Sequence, residues 1–389
     1  MILLSLASKQ IWPQVLAVCH LKPTGLVLLH SEDDNESRKP AERLKKFFKK
    51  QGTLGRGCVG AELLSDSDFS AIEKRLDELA ASQQWNLGDC VLNITGGNKL
   101  MATAAFRWAA RRGVRTFYLE RRNGITWFDF RDGETMTTSE QADGHLADSL
   151  DPVALLRCQM DSSEAEREGE SLTLNSEGIR LPDEELFKHL QNGVDATRFL
   201  TTQGIADVDA KKGDGLELAT AAVLLKLGVQ KVQRSLRLKV KSAQGVSTRQ
   251  PHAEIDLLFS WGGKLWLVDC KDRKDPESLI EGLRRELKNQ ALSPQATELL
   301  ARISKELSIG QTKVMKEDLL AVRETGGLLG QIVCVRKALL SEEVHQFARH
   351  NQIEVVQKSE LAERWRSLLF PNRPPDQAQL ASLVKAFGA

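Results

Sequence analysis

At 389 residues and 43.3 kDa, with 41% hydrophobic and 28% charged residues, the chain has a globular composition that excludes disorder and collagen-like repeats and leaves room for about two or three domains. Its 54 Lys and Arg nearly balance 53 Asp and Glu, so the net charge of +1 singles out no partner. The balance hides a division, however: from Lys211 onward there are 29 basic and 21 acidic residues, and in the first 210 there are 25 and 32. A polyanion is therefore expected on the second half.

The opening run Met1 to Leu6 lacks a basic leader and is interrupted by Lys9, so it reads as a buried first strand, not as a signal peptide or membrane span. Five more strand candidates follow: Gly25 to His30, Val59 to Leu63, Cys90 to Ile94, Thr116 to Glu120 and Ile125 to Phe128. Helical spacing of apolar residues falls between them at Pro40 to Lys50, Asp66 to Ala81 and Lys99 to Ala110. This alternation predicts an α/β domain over residues 1–139, Rossmann-like, with a parallel sheet and crossover helices. Gly55-x-Gly57-x-x-Gly60 copies the dinucleotide fingerprint but follows a helix and precedes a strand, the reverse of the required order, so it reads as a helix stop.

Residues 140–210 lose this pattern and read as a connector, small and helical or a winged helix. Within them Asp161 to Glu170 is an acidic run of linker character and Pro182 to Gln191 a short helix. Asp207-x-Asp209 imitates a calcium loop, yet Lys211, Lys212 and Leu218 stand where a ligand, the glycine and the closing Glu belong. Residues 211–389 form a second α/β domain: a helix from Gly215 to Leu227, an alternating strand around Leu236, Leu238 and Val240, two strands, Glu254 to Phe259 and Lys264 to Lys271, flanking Gly262-Gly263, and a buried strand at Gln331 to Val335 in a mostly helical remainder. Six scattered cysteines, with no C-x-x-C pair, fit a reducing cytoplasm.

Two constellations carry chemistry. In the first, Asn93-Ile94-Thr95-Gly96-Gly97-Asn98-Lys99-Leu100-Met101 runs from strand through a glycine turn to a helix start capped by Asn98. Free N–H groups at such a start, glycines that admit a ligand to the backbone, and the charge of Lys99 suit an anion. An ordinary βα turn has the same glycines, but this one ends a strand where open α/β sheets bind ligands. In the second, a two-residue Gly262-Gly263 hairpin sets Asp256 opposite Asp269, because each cross-strand pair must sum to 525. Opposed carboxylates repel unless a cation bridges them, and a hard divalent metal does so. Lys271 shares the face of Asp269 and can orient water or offset phosphate charge. Surface hairpins carry Asp-x-Lys without chemistry, but Leu265, Leu267 and Val268 mark a buried strand in which bare carboxylates are costly. Glu217, in the first turn of the preceding helix, is the available third carboxylate, and the candidate metal set is Asp256, Asp269, Cys270 and Glu217, for Mg or Mn. Arg237, Lys239 and Lys241 alternate with the apolar set and form a cationic face for substrate phosphates.

The order Glu217, Asp256, Asp269-x-Lys271 resembles the restriction-endonuclease-like core written P-D-(D/E)-x-K, without its proline element. Thr95-Gly96-Gly97-Asn98-Lys99-Leu100-Met101 resembles the ligand motif of CARF domains, the CRISPR-associated Rossmann folds, and Arg323-Glu324-x-Gly326-Gly327-x-x-Gly330 resembles the nuclease tail of proteins joining the two. Most of the chain, least so residues 140–210, is thus similar to the CARF nuclease effectors of type III CRISPR systems. That resemblance implies a homodimer that binds cyclic oligoadenylate, most often the tetra-adenylate, and is thereby switched to metal-dependent cleavage of nucleic acid. It places Thr95, Gly96, Gly97, Asn98, Lys99 and Met101 on the ligand, with the loop after the first strand, including Ser8, Gln10 and Trp12, as second contact. Asp269 stands where many relatives carry Glu. Two rivals remain open at this point: a ligand-sensing transcriptional regulator, which has no use for Asp256, Asp269 and Lys271, and a first domain that cleaves its own cyclic ligand.

Overall fold

The computed structural model describes residues 1–52, 59–120, 123–159, 163–167, 171–173, 215–240, 253–271, 330–337 and 342–371, with isolated helical positions between 294 and 320. The chain divides into two compact units: Met1–Glu164 with the turn Ser260–Lys264, and the bulk of the chain from Ala165 onward. Gly55 and Gly57, the predicted helix 182–191, residues 207–214 of the calcium-like pattern and residues 323–329 of the glycine-rich motif lie outside the described residues.

In the first unit seven strands form one sheet: β1 (Ile2–Leu6), β2 (Gly25–His30), β3 (Val59–Leu63), β4 (Cys90–Asn93), β5 (Arg115–Leu119), β6 (Gly124–Arg131) and β7 (Glu134–Gln141), in the order β3-β2-β1-β4-β5-β6-β7. From β3 through β5 every pairing is parallel, as the alternation of strands and helices predicts. β6 and β7 then run antiparallel, which extends the sheet beyond the Rossmann-like part. The crossovers are α1 (Trp12–Leu21), α2 (Lys39–Gln51), α3 (Phe69–Ser82) and α4 (Lys99–Arg112). α3 and α4 pack Ile72, Leu76, Ala105 and Trp108 onto Leu4, Leu6 and Leu92 of the sheet. α3 starts where Asp68 accepts a hydrogen bond from Ala71 N, and a left-handed Gly113 ends α4. Because β1 joins β2 on one side and β4 on the other, the strand order reverses between β1 and β4, where a doubly wound sheet opens its ligand crevice.

The second unit holds β8 (Ser163–Arg167), β9 (Ser171–Thr173), β10 (Lys231–Val240), β11 (Ala253–Trp261), β12 (Lys264–Lys271), β13 (Gln331–Arg336) and β14 (Ile353–Gln357), ordered β14-β13-β12-β11-β10-β8 with β9 also on β10. β12, β13 and β14 are parallel, and β11 is antiparallel to β10. α5 (Pro152–Gln159) precedes β8, and α6 (Gly215–Lys226), α7 (Glu342–His350) and α8 (Leu361–Leu369) complete the described helices of eight residues or more. The acidic run expected as a linker thus contains a strand, β8, at the sheet edge, where one neighbour suffices. β12 is buried along nearly its whole length, as its two-sided apolar sequence requires. The Gly262-Gly263 turn has φ of +60° and +74°, the two positive angles that a tight hairpin of this hand demands. No helix among the described residues is long and apolar enough to cross a membrane.

Candidate functional site

At the crevice of the first unit, Asn93 ends β4 fully buried and ties the turn together. Its Nδ2 donates to Ser5 Oγ at 3.1 Å, and its Oδ1 accepts from Thr95 N at 3.0 Å and Thr95 Oγ1 at 2.6 Å. Thr95 Oγ1 in turn accepts from Leu119 N at 2.8 Å. Asn98 caps α4 through Met101 N at 2.8 Å and donates from Nδ2 to Asp66 O at 2.9 Å. Beside it lies a cleft of about 580 Å³ whose lining includes Glu32, Ser65, Asp66, Ser67 and Lys74.

The glycines have structural work that sequence alone does not disclose. A side chain at Gly96 would overlap the Leu6 carbonyl and Gln14 Nε2, which donates to that carbonyl at 2.8 Å, and Gly97 sits at φ +71°. Close approach of β1, not room for a ligand, therefore explains Gly96. Gly96→Ala should lower stability by about 1 to 3 kcal/mol, as overpacking against an immobile backbone does, and denaturant unfolding measures it. An unchanged midpoint would show that the turn can relax.

The structure buries two of the residues expected at the ligand. Trp12 is no loop residue but the first of α1, 5% exposed and packed in the core, because its flanking Ile11 and Pro13 start the helix directly. Met101 is 1% exposed, and its N–H is already taken by Asn98, so neither its side chain nor its amide is open. What stays available are the N–H groups of Gly97, Asn98 and Lys99, which have no acceptor among the described residues, and the exposed Lys99 ammonium. Ser8 and Gln10, both partly exposed, stay on the adjoining loop, where Ser8 Oγ donates to Gln10 O at 3.3 Å. This edge can hold an anion through backbone donors and one cation.

In the second unit β11 and β12 bring Asp256 and Asp269, 5% and 2% exposed, to one cation cluster. Lys271 Nζ lies 2.8 Å from Asp269 Oδ1 and 3.7 Å from Asp256 Oδ2. Asp256 Oδ2 also accepts from Cys270 N. A residue the sequence reading missed completes the group: Arg336, at the end of β13, places Nη2 at 2.6 Å from Asp269 Oδ2. The only sequence signal for it is a charge closing an otherwise apolar strand.

The two carboxyls are electrostatically unequal. Burial, and then the neighbouring Asp269, pushes Asp256 up to about 7. Burial also acts to raise Asp269, but Arg336 and Lys271 overcome it and hold that carboxyl below its usual value. Burial would lower Lys271; Asp269 and Asp256 outweigh it and keep the ammonium charged. Without metal, folded protein therefore retains a proton on Asp256 that the unfolded chain has lost between about pH 4 and 7. Its stability should fall as pH rises through that window and level off above it. Thermal unfolding in chelator should show this slope for the native sequence and a shallower one for Asp256→Asn, which is neutral at every pH; equal slopes would refute it.

Asp256 Oδ1 receives no hydrogen bond from the described residues, and with Asp269 it offers hard oxygen donors suited to Mg or Mn. Glu217, in the first turn of α6, is partly exposed and near enough to Cys270 to disfavour its thiolate. Thr220, one turn further along α6, meets the Cys270 thiol at 3.9 Å. Cys270 alternates in direction with Asp269 and Lys271, so α6 covers the opposite strand face. Burial, with Asp256 next, raises that thiol far above its ordinary value, so it stays neutral and is a poor ligand. Among the described residues no three His, Cys, Asp or Glu side chains close around one point. Donors from this chain thus begin with the Asp256–Asp269 pair.

On the predicted cationic face, Arg237 is exposed and lies 4.0 Å from Glu254 on β11, its cross-strand partner. This pairing offsets part of its charge. The Lys239 side chain and Lys241 lie outside the described residues.

No known protein-family profile matches this sequence, and no curated protein does. Solved structures do share the fold. Can2 from Sulfobacillus thermosulfidooxidans, solved in complex with cyclic tetra-adenylate, superposes over 93% of this chain and 98% of its own, with a TM-score of 0.52 and 16% identity. Protein VC1899 from Vibrio cholerae superposes over 100% of this chain and 98% of its own, with a TM-score of 0.58 and 13% identity. At such identities the likeness establishes a shared two-sheet α/β fold with a Rossmann-like first sheet.

Proposed function

We propose that this protein is a metal-dependent nuclease of type III CRISPR defence, activated by cyclic oligoadenylate, tetra-adenylate foremost, with a CARF-type first unit and a P-D-(D/E)-x-K-type second unit. The observation that carries the proposal is the convergence of buried Asp256 and Asp269 on Lys271 at the centre of the second sheet. Two carboxyls buried side by side remain expensive even with Lys271 and Arg336 beside Asp269, as the raised Asp256 shows, and a site built to receive a divalent ion accounts for their retention. The sensing half is supported by the Thr95 to Met101 turn at the crevice and by the fold shared with Can2, which was solved with cyclic tetra-adenylate.

In this reading Asp256 and Asp269 hold Mg or Mn, which supplies Lewis acidity toward the scissile phosphate. Lys271 stays protonated beside them and offsets phosphate charge as it develops. Arg237, Lys239 and Lys241 steer the nucleic acid by its phosphates. The activator, a multiply charged ring, is met by Lys99 and the free N–H groups of two protomers about a dimer axis, since one turn offers few donors.

The test is a cleavage assay over labelled RNA and DNA, single- and double-stranded, with each cyclic oligoadenylate and either Mg or Mn. Activator-dependent cleavage that stops in chelator supports the proposal. DNA binding that responds to the cyclic ligand without any cleavage would replace it with the regulator.

A further inference from the structure

Arg336 makes more than an ion pair. Its side chain is 4% exposed, and its guanidinium grips one residue twice: Nη2 on Asp269 Oδ2 at 2.6 Å and Nη1 on the main-chain carbonyl of Asp269 at 3.3 Å. Nη1 also donates to Val335 O at 3.2 Å. Parallel pairing sets Arg336 beside Lys271 and Cys334 beside Asp269, so the guanidinium reaches back along β12 to Asp269. A fork that spans a side-chain oxygen and the same residue's carbonyl restricts both side-chain torsions of that Asp. It leaves Oδ1 turned toward Lys271, on the side where Asp256 also lies.

We infer that Arg336 is a positioning residue that presets Asp269 for a divalent cation; this rests on the nuclease reading above. A mere counter-charge makes the opposite forecast. Removing a positive charge next to a cation site should tighten metal binding, whereas removing a clamp should weaken it despite the charge lost. Lysine in place of Arg336 keeps the charge but cannot span both oxygens, so it separates the two roles.

The experiment is calorimetric titration of Mn into metal-free full-length protein for the native sequence, Arg336→Lys and Arg336→Met, with circular dichroism to verify folding. Outer-sphere partners of metal ligands commonly contribute about 10- to 100-fold in affinity, and both variants should lose binding on that scale. Native-like affinity in Arg336→Lys, or tighter binding in Arg336→Met, would overturn the clamp in favour of a counter-charge. If Arg336→Met fails to fold, Arg336→Lys and the double variant Asp269→Asn with Arg336→Lys still decide. Once Asp269 cannot bind metal, the lysine substitution should have no further effect on affinity; a full additional loss would overturn the proposal. Absence of Mn binding by the native protein would instead remove the nuclease reading and this inference with it.

Discussion

Lys271→Ala and Asp269→Asn should each reduce activated cleavage by about 100- to 1000-fold or more while leaving affinity for the cyclic activator unchanged. The scale is that of losing one preorganised charge at a transition state, since in the proposed mechanism the group removed would touch the reacting phosphate or its metal. Lys271 is the cleaner test of chemistry because its side chain is 28% exposed and its loss creates no large void. Asn at 269 is preferable to Ala because the amide oxygen can still accept from Arg336. Ala would leave that guanidinium buried with main-chain carbonyls but no carboxylate counter-charge, a defect of about 3 to 5 kcal/mol that could unfold the unit and mimic catalytic loss. Initial rates at saturating activator and metal, with activator binding followed by calorimetry, separate the outcomes. Cleavage at the native rate by either variant would remove Asp256, Asp269 and Lys271 as the active site.

Lys99→Ala should move the activator concentration for half-maximal cleavage upward by about 100-fold or more, with the maximal rate approached again at saturation. A charge-assisted contact to phosphate is worth about 1.5 to 3 kcal/mol, and a ligand on a dimer axis loses it twice. Lys99 is exposed, and among the described residues no acid pairs with it, so its removal should cost the fold little. Rescue at high ligand follows if activation is, as proposed, a population shift set by differential affinity, which the substitution would weaken without touching Asp269. An unchanged binding isotherm, or full activity from a protein that light scattering finds monomeric, would refute this arrangement.

Much of the architecture was legible in the sequence because its signals are local. β1, β2, β3 and β12 run as read, and α4 begins as its Asn98 cap dictates. The hairpin followed from Gly262-Gly263, since two consecutive positive φ angles leave few other residues possible. Elements without a one-sided pattern were not legible. α1 is buried along most of its length, so it shows no polar face to mark a helical period, and nothing in the sequence separates Trp12 from the preceding loop. β7 is exposed at every position and so lacks the alternation that betrays a half-buried strand. β8 carries charge that only an edge position tolerates.

The candidate chemistry divides in the same way. Asp256, Asp269 and Lys271 could be put together from the sequence because a two-residue turn fixes strand register by counting. Arg336 could not: it lies 65 positions after Lys271 in the chain, and only the parallel pairing of β12 with β13 brings them side by side. The purpose of Gly96 and the closure of Met101 were likewise decided by β1 and the Asn98 cap packing against the turn. Residue type and spacing determined which groups could do chemistry, and non-local packing determined which remained free to do it, because burial and hydrogen bonds are settled by partners remote in the chain.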